Sequence, residues 1–410
     1  MAIKIIGMAI LENTFPRNKF DIKILVAKIS YKRSDALMMY ISKISCIAWT
    51  IAVFFYYFQV PFLNFAWLIT TGVAIFMLLD IKKIFDIFRN FRIGILYLVV
   101  ISFCLINVLY SVSNGTELSS ALRFFWILIL LPLCPFYQKE NAYTIYKVFE
   151  IFSLGKAIML IVLAFLVYQA GSYAEMRTWA QMNNYGDIYY GYANIPKIQL
   201  KGNALLLIAF MIDFCKSNKF NVYNVVILLG VLCAGNFAFL LGLAIFFVWR
   251  YALSLKYNGN IFRKALVGVI LLIGITLFSS YSIMESNTKS GYFGSNGMRI
   301  IQYEILTDTN IIYGSGLGSN VPGAVRLGRS IDDQYYELQT LYIYYQVGII
   351  CLGFFYIIMF YTMRRSCDKD GFVLFLIYLF YSFFNPYCFD TTQMITMILL
   401  SNQFPREVKK

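Results

Sequence analysis

The chain contains no histidine. Without imidazole, His-activated Ser or Cys nucleophiles, His proton relays and His-ligated metal centres are all excluded. Charge is also scarce: Asp, Glu, Lys and Arg make up 14% of 410 residues, where a soluble domain carries about a quarter. Eight cysteines occur, but they stand alone, mostly inside apolar runs (Cys46, Cys104, Cys134, Cys233, Cys351), with no Cys-x-x-Cys. Neither a disulfide framework nor a zinc site is indicated. A nucleotide-binding P-loop is absent too, since the one glycine-rich run lacks both the Lys-Ser/Thr and the preceding strand.

What fills the chain instead is apolar sequence. Hydrophobic residues reach 60% and the mean hydropathy is +0.67. Runs of about 15 to 25 apolar residues recur along nearly the whole length, the pattern of repeated bilayer crossings. Crossings are expected near 44–61, 64–80, 93–112, 121–137, 151–170, 202–215, 221–235, 237–250, 265–281, 336–362, 371–386 and 388–403. The expected fold is therefore all-α, a single polytopic membrane domain of about twelve transmembrane helices.

The net charge of +14 would suggest nucleic acid in a soluble protein, but here orientation accounts for most of it. Lys and Arg collect in every second connection: Arg17 to Lys43, Lys82 to Arg92, Lys139 and Lys147, Lys216 and Lys219, Lys256 to Lys264, Arg364 to Lys369, and Arg406 to Lys410. These read as cytoplasmic, which puts both termini in the cytoplasm and gives no nucleic-acid partner. Residues 1–43 read as an amphipathic cytoplasmic segment, because their apolar runs are short and broken by lysine. No cleavable signal follows Met1, so the first crossing is expected to direct insertion. Segments 221–235 and 237–250 span only about 21 to 23 Å as helices, short of the roughly 30 Å hydrocarbon core. Their Gly235-Asn236 junction is thus expected either below the outer surface under a cavity, or beside a tilt or a thinned bilayer.

Two outer connections are long, 171–202 and 282–335, and chemistry is expected there. The first combines Glu175, Arg177, Asp187, Lys197 and Lys201 with many Tyr and Asn residues, a set suited to sugar rings or to an interfacial aromatic belt. In the second, Met298, Ile301, Ile305 and Ile312 mark the apolar side of a helix over 297–306, with Arg299, Gln302 and Tyr303 off that stripe. The run Gly314-Ser-Gly-Leu-Gly-Ser319 permits positive φ and can expose backbone N–H groups as a phosphate nest. Arg326 and Arg329 follow, then Asp332, Asp333 and Glu337 at the mouth of the next crossing. Outer arginines run against the orientation rule, so Arg177, Arg299, Arg326 and Arg329 each need a partner, either an anionic ligand or the loop's own carboxylates. Glu337 is a candidate general base, or else a plain charge at a helix N-terminus.

The order Arg299, Tyr313-Gly-Ser-Gly-Leu-Gly-Ser319, a polar stretch, Glu337, then Gly348-Ile-Ile-Cys-Leu-Gly353 resembles the C-terminal half of Wzy-type O-antigen polymerases and the related O-antigen ligases. The resemblance covers roughly 200–365, and its motifs are loose. Where the family often carries Ser-Arg this chain has Gly235-Asn236, and the histidine typical of the ligases is missing, which favours polymerase over ligase. The resemblance implies an undecaprenyl-diphosphate-linked oligosaccharide as substrate, extended at the outer face of a bacterial inner membrane, with a chain-length regulator as a partner left open. It further implies Arg177, Arg299 and Arg326, with Arg329 as substitute, on the diphosphate, and Glu337 on the acceptor hydroxyl. Neither cofactor nor metal is expected, although Asp332-Asp333 resembles the acidic pairs of metal-dependent transferases. The competing classes are an O-antigen ligase acting on lipid A core and a flippase or ion-coupled carrier. A carrier would bury ionisable groups mid-membrane and use paired broken helices; Lys156 is the clearest such charge here.

Overall fold

A computed structural model describes residues 44, 46–58, 90–137, 141–170, 173–183, 186–190, 196–257, 295–328, 330–331, 334, 336–383 and 385–406. The expected segment 1–43, the crossings at 64–80 and 265–281, and Arg329, Asp332 and Asp333 lie outside the described residues. Contacts divide the chain between Ala48 and Trp49, and residues 49–410 form one compact unit.

Helices dominate that unit. In chain order they are α1 (Cys46–Phe58), α2 (Phe91–Ser113), α3 (Leu118–Leu130), α4 (Ala142–Ala170), α5 (Tyr173–Met182), α6 (Ala204–Ser217), α7 (Val222–Ala234) and α8 (Phe237–Tyr257). They continue with α9 (Ser295–Thr307), α10 (Gln339–Ser366), α11 (Lys369–Phe383) and α12 (Thr391–Gln403). Among the described residues four segments are long and apolar enough to cross a membrane: 91–113, 118–136, 142–169 and 339–366. The remaining apolar helices are shorter, and the described residues do not reach twelve full-length spans. A membrane-embedded, mostly helical protein is what this architecture supports.

The expected all-α fold needs one amendment. The connection 171–202 is not an open loop but a helix, α5, followed by an antiparallel ribbon of β1 (Gly186–Tyr190) and β2 (Pro196–Leu200). Ile188 pairs with Ile198 in the ribbon, and both are buried. Alternation turns these two residues inward, where β2 packs against α4 and α7.

Burial sorts the helices into a centre and a jacket. In α6 the run from Ala204 to Ile212 is fully buried, and in α12 residues 392–402 are buried. A helix buried on all sides has no solvent or lipid face, so these two occupy the centre, α6 with apolar residues throughout that run and α12 with Thr392, Gln393, Thr396, Ser401 and Asn402 buried among its apolar ones. By contrast only 28% of the hydrophobic window of α2 and of α4 is buried, against 61% for α3 and 56% for α10. The bare faces of α2 and α4 carry Leu98, Ile106, Leu109, Phe165 and Leu166, the composition expected of a lipid boundary.

Local chemistry ends the helices where they end. Pro132 and Pro135 lack N–H donors, and α3 tightens there into a 3₁₀ helix, Leu131–Phe136. Asn218 closes α6 in the left-handed region at φ 52°, and Gly235 closes α7 at φ 61°. The Gly235-Asn236 junction is covered rather than open: the Lys197 stem of β2 presses on Gly235, and the buried Asn236 amide donates to Asn385 Oδ1 at 2.9 Å.

Candidate functional site

The largest departure from the expected helices is inside α10. Gly348 adopts φ 71°, ψ 178° and breaks it into 339–347 and 349–366. In an unbroken helix Ile349 N–H would donate to the Tyr345 carbonyl; here it donates to Ile311 O at 2.8 Å. The released carbonyls are taken by the glycine-rich run, with Ser315 N–H on Tyr345 O at 2.8 Å and Gly316 N–H on Gln346 O at 2.9 Å. Gly318 N–H reaches the Gln346 Oε1 at 3.1 Å. Backbone polar groups at membrane depth must be satisfied by protein, and this exchange does so. It also overturns the phosphate-nest reading of 314–319: glycines 314, 316 and 318 do take positive φ, but the N–H groups of Ser315, Gly316 and Gly318 are engaged within the protein.

The same interlock draws in two more helices. A Cβ on Gly316 would sit 2.8 Å from the Ser111 Cβ of α2, and one on Gly318 2.7 Å from the Ala121 N of α3. Backbone contact this close tolerates only glycine.

Helix α9 lies against α10, and residues 295–307 carry the helix expected over 297–306. Ile301 and Ile305 face inward as expected, but Ile312 is exposed and Gln302 is buried. The Gln302 Oε1 accepts from Leu338 N–H at 3.2 Å, occupying a donor at the start of α10 that no earlier turn can meet. Polarity alone had placed Gln302 on the outer side of the helix.

Three of the four arginines singled out above are described, and each meets a carboxylate. Arg177 grips Asp187 through two bonds, Nε–Oδ1 at 2.9 Å and Nη2–Oδ2 at 3.1 Å, and touches the Tyr173 hydroxyl at 3.3 Å. The carboxylate raises the Arg177 pKa still further, so it stays charged. Arg326 Nη2 meets Glu304 at 2.6 Å with both side chains about half exposed. Arg299 Nε donates to Glu337 Oε2 at 2.9 Å. The pair expected to act on two different groups of substrate is therefore one ion pair, joining α9 to the mouth of α10. A solvent-exposed pair is worth about 0 to 1 kcal/mol, so Arg326→Gln is expected to shift the thermal midpoint by at most a few °C and to leave activity within about twofold of wild type, checked by unfolding and turnover side by side.

Among the described residues two further cations lack such a partner. Arg123, the sixth residue of α3, lies over the ring of its neighbour Phe124 at 5.6 Å. Lys201 lies between β2 and α6, and among the described residues neither it nor Arg123 forms an ion pair. The two are within electrostatic reach of each other, and Arg123 also reaches Tyr342 and Asp390. Crowding lowers the Lys201 pKa first and the Arg123 guanidinium lowers it second; the side chain stays open to solvent, so the effect is modest. Asp390 itself is occupied as the N-cap of α12, its Oδ1 accepting from Gln393 N–H at 3.1 Å and its Oδ2 from Thr392 Oγ1 at 2.6 Å.

Tyr342 ties these cations to the Arg299–Glu337 pair. Its ring packs 5.5 Å from Phe124 and 4.7 Å from Tyr336, the residue before Glu337. One end of the bundle thus gathers the α10 break, the Arg299–Glu337 pair, Arg123 and Lys201. Arg177 is anchored on the α5–ribbon unit through Asp187, whose ribbon partner Gln199 lies two residues before Lys201.

No family model, curated protein or solved structure matches the chain. Geometry and chemistry alone carry the reading of this end of the bundle. Among the described residues no group of three Cys, Asp or Glu could hold a metal ion. One Asp-x-Asp does occur, Asp368-Lys-Asp370, but it sits at the far end of α10, where Asp368 accepts from Gly371 N–H at 2.8 Å and Asp370 faces Arg250 at 4.0 Å.

Proposed function

We propose that the chain is a membrane glycosyltransferase that polymerises polyprenyl-diphosphate-linked oligosaccharide, with its site at the end of the bundle marked by the α10 break. The observation that carries this reading is the unpartnered Arg123–Lys201 pair beside Tyr342. Two cations within electrostatic reach of each other and without a carboxylate partner among the described residues call for an anion, and guanidinium with ammonium suits a diphosphate.

The reaction is the one that the resemblance to O-antigen polymerases implies. The acceptor hydroxyl oxygen attacks the anomeric carbon of the donor glycan, the bond from that carbon to the diphosphate oxygen breaks, and polyprenyl diphosphate departs with the electron pair. Arg123 and Lys201 stabilise the charge that develops on the leaving group. Glu337 takes the hydroxyl proton: Arg299 holds its Oε2, while Oε1 has no protein partner among the described residues. Such a base contributes a factor of about 10² to 10⁴. The sequence resemblance to O-antigen polymerases supports the same reading, with Arg123 and Lys201 taking the part first given to Arg177 and Arg326.

A pH dependence follows. Lys201 carries a lowered pKa and holds the diphosphate only while protonated, so binding is full below that pKa and weakens as pH rises through it. Removing the guanidinium in Arg123→Gln raises the Lys201 pKa and moves the alkaline limb of kcat/KM to higher pH; an unmoved limb rules out Lys201 as the group.

Deletion of the gene in its own host, followed by gel analysis of the surface polysaccharide, tests the function. Single repeat units in the deletion strain, restored to a ladder by wild type, support polymerisation. Bare acceptor with accumulated long polymer on the lipid carrier selects a ligase instead.

A second reading, a carrier for the same lipid-linked unit, has one observation in its favour. Lys156 of α4 is buried with its Nζ on the Tyr57 carbonyl at 2.9 Å, and a broken helix is a transporter device. Only one such break occurs among the described helices, without the paired counterpart. Loss of lipid-linked unit at the outer face in Lys156→Met, with polymerisation of externally supplied unit intact, would select the carrier.

A further inference from the structure

At the opposite end of α10 from Gly348 lies a groove of about 590 Å³ lined by Phe360, Tyr361, Arg364, Arg365, Phe372 and Arg406. Arginine here agrees with the charge pattern that assigns this end to the cytoplasm, but the manner in which the guanidinium groups are held sets the groove apart. Every described arginine of the outer loops is met by a carboxylate. In the groove the described groups that position Arg364 and Arg406 are neutral. Arg406 Nη1 donates to the Arg364 carbonyl at 3.1 Å and its backbone N–H to Ser366 O at 3.0 Å. Arg364 lies over the Phe372 ring at 5.5 Å, and Phe372 meets Phe360 edge-on at 6.4 Å. Tyr361 is fixed by the Asn90 amide at 3.0 Å. Among the described residues no carboxylate pairs with Arg364 or Arg406.

Nearby acids are otherwise engaged. Asp370 faces Arg250, and Asp368 is bound to the Gly371 N–H. Burial raises the Asp368 pKa and Asp370 adds to the rise, with no guanidinium opposing them. Among the described residues the charges of Arg364 and Arg406 are therefore not cancelled by a carboxylate.

An apolar track leaves the groove along α11. Phe372, Leu376, Phe380 and Phe383 recur at helical spacing on one face, and the last three are exposed. Acyl chains can lie along such a track. We propose that the groove is a binding site for an anionic phospholipid, with Arg364 and Arg406 on the headgroup phosphate and the chains along the exposed face of α11. Guanidinium forks match phosphate bidentately, basic pockets between membrane helices on this side favour acidic headgroups, and the track distinguishes a lipid from free phosphate.

The test uses purified full-length protein in neutral detergent, titrated with phosphatidylglycerol, phosphatidylcholine of the same chains, or inorganic phosphate, and read by retained lipid in native mass spectrometry and by the thermal midpoint. The expected result is saturable retention of phosphatidylglycerol and a raised midpoint, neither of which phosphatidylcholine or phosphate reproduces. Arg364→Gln/Arg406→Gln is expected to weaken phosphatidylglycerol at least tenfold, with Arg364→Lys/Arg406→Lys recovering part of the loss. Equal retention of phosphatidylcholine, or unchanged affinity in the glutamine variant, overturns the site. Equal stabilisation by inorganic phosphate overturns the lipid in favour of a free anion. Should the glutamine variant fail to fold, the comparison of the three ligands on wild type and the lysine variant still decides.

Discussion

Gly348→Ala is expected to yield a protein that unfolds far below wild type or cannot be purified as a single species. The residue sits at φ 71°, ψ 178°, a region essentially reserved for glycine, where a side chain costs about 1 to 3 kcal/mol in strain. Its new Cβ would also collide with the Ile312 carbonyl, and relief of that clash requires moving the segment that satisfies the carbonyls of residues 345 and 346. Exposing those groups costs roughly another 1 to 3 kcal/mol each. Several kcal/mol is a large part of the total stability of a protein. Gly353→Ala is the control: it lies five residues on in the same helix with nothing within 4 Å of the added methyl, and it is expected to be neutral or to stabilise by about 0.5 to 1 kcal/mol. Thermal unfolding of both in detergent checks the pair. Equal midpoints for the two variants would mean that α10 runs straight.

Arg123→Gln combined with Lys201→Gln is expected to abolish polymer formation while leaving the fold intact. Neither side chain carries an ion pair among the described residues, and both are exposed, so stability has little to lose. Transition-state charge stabilisation has much: removing one preorganised donor costs about 10² to 10³ in rate. Each single variant is expected to fall in that range and the double variant below detection. Arg123→Lys is expected to recover only part, because an ammonium cannot reproduce the two-pronged grip of guanidinium on phosphate. Turnover of lipid-linked oligosaccharide in reconstituted vesicles reads the effect. Wild-type rates in the double variant would remove the diphosphate from this end of the bundle.

Hydropathy located the helices well because length and apolar content are local properties. Segments 93–112 and 336–362 correspond to Phe91–Ser113 and Gln339–Ser366 within a few residues. The break in the second was hidden, since one glycine inside an apolar run reads as tolerated, and what makes Gly348 different is a partner some thirty positions earlier. The ribbon at 186–200 was hidden because its alternation covers only five residues per strand. Charged loop residues were correctly picked as needing partners, but periodicity cannot say which carboxylate answers which arginine. Arg123 had a legible signal: it is a lone cation in an otherwise apolar window, near the end of the crossing that faces both long connections. Charge in the two long connections masks it, because a single cation at a helix end forms no motif.

The exchange of hydrogen bonds between 311–318 and the α10 break has a bearing on biogenesis. Ribosomal order delivers the glycine-rich segment before the helix it completes, so the donors for the carbonyls of Tyr345 and Gln346 already exist when residue 348 emerges. A nascent 339–366 segment released into lipid on its own has no such donors and must remain a straight rod, with Gly348 in ordinary helical conformation and the Ser315 and Gly316 amides in water. The bend is then a property acquired after insertion, by docking of the 311–318 segment onto a rod that unwinds to receive it. A bulky residue at 314 or 316 meets the same close contacts that admit only glycine, and is expected to block docking and leave the straight form exposed to membrane quality-control proteases.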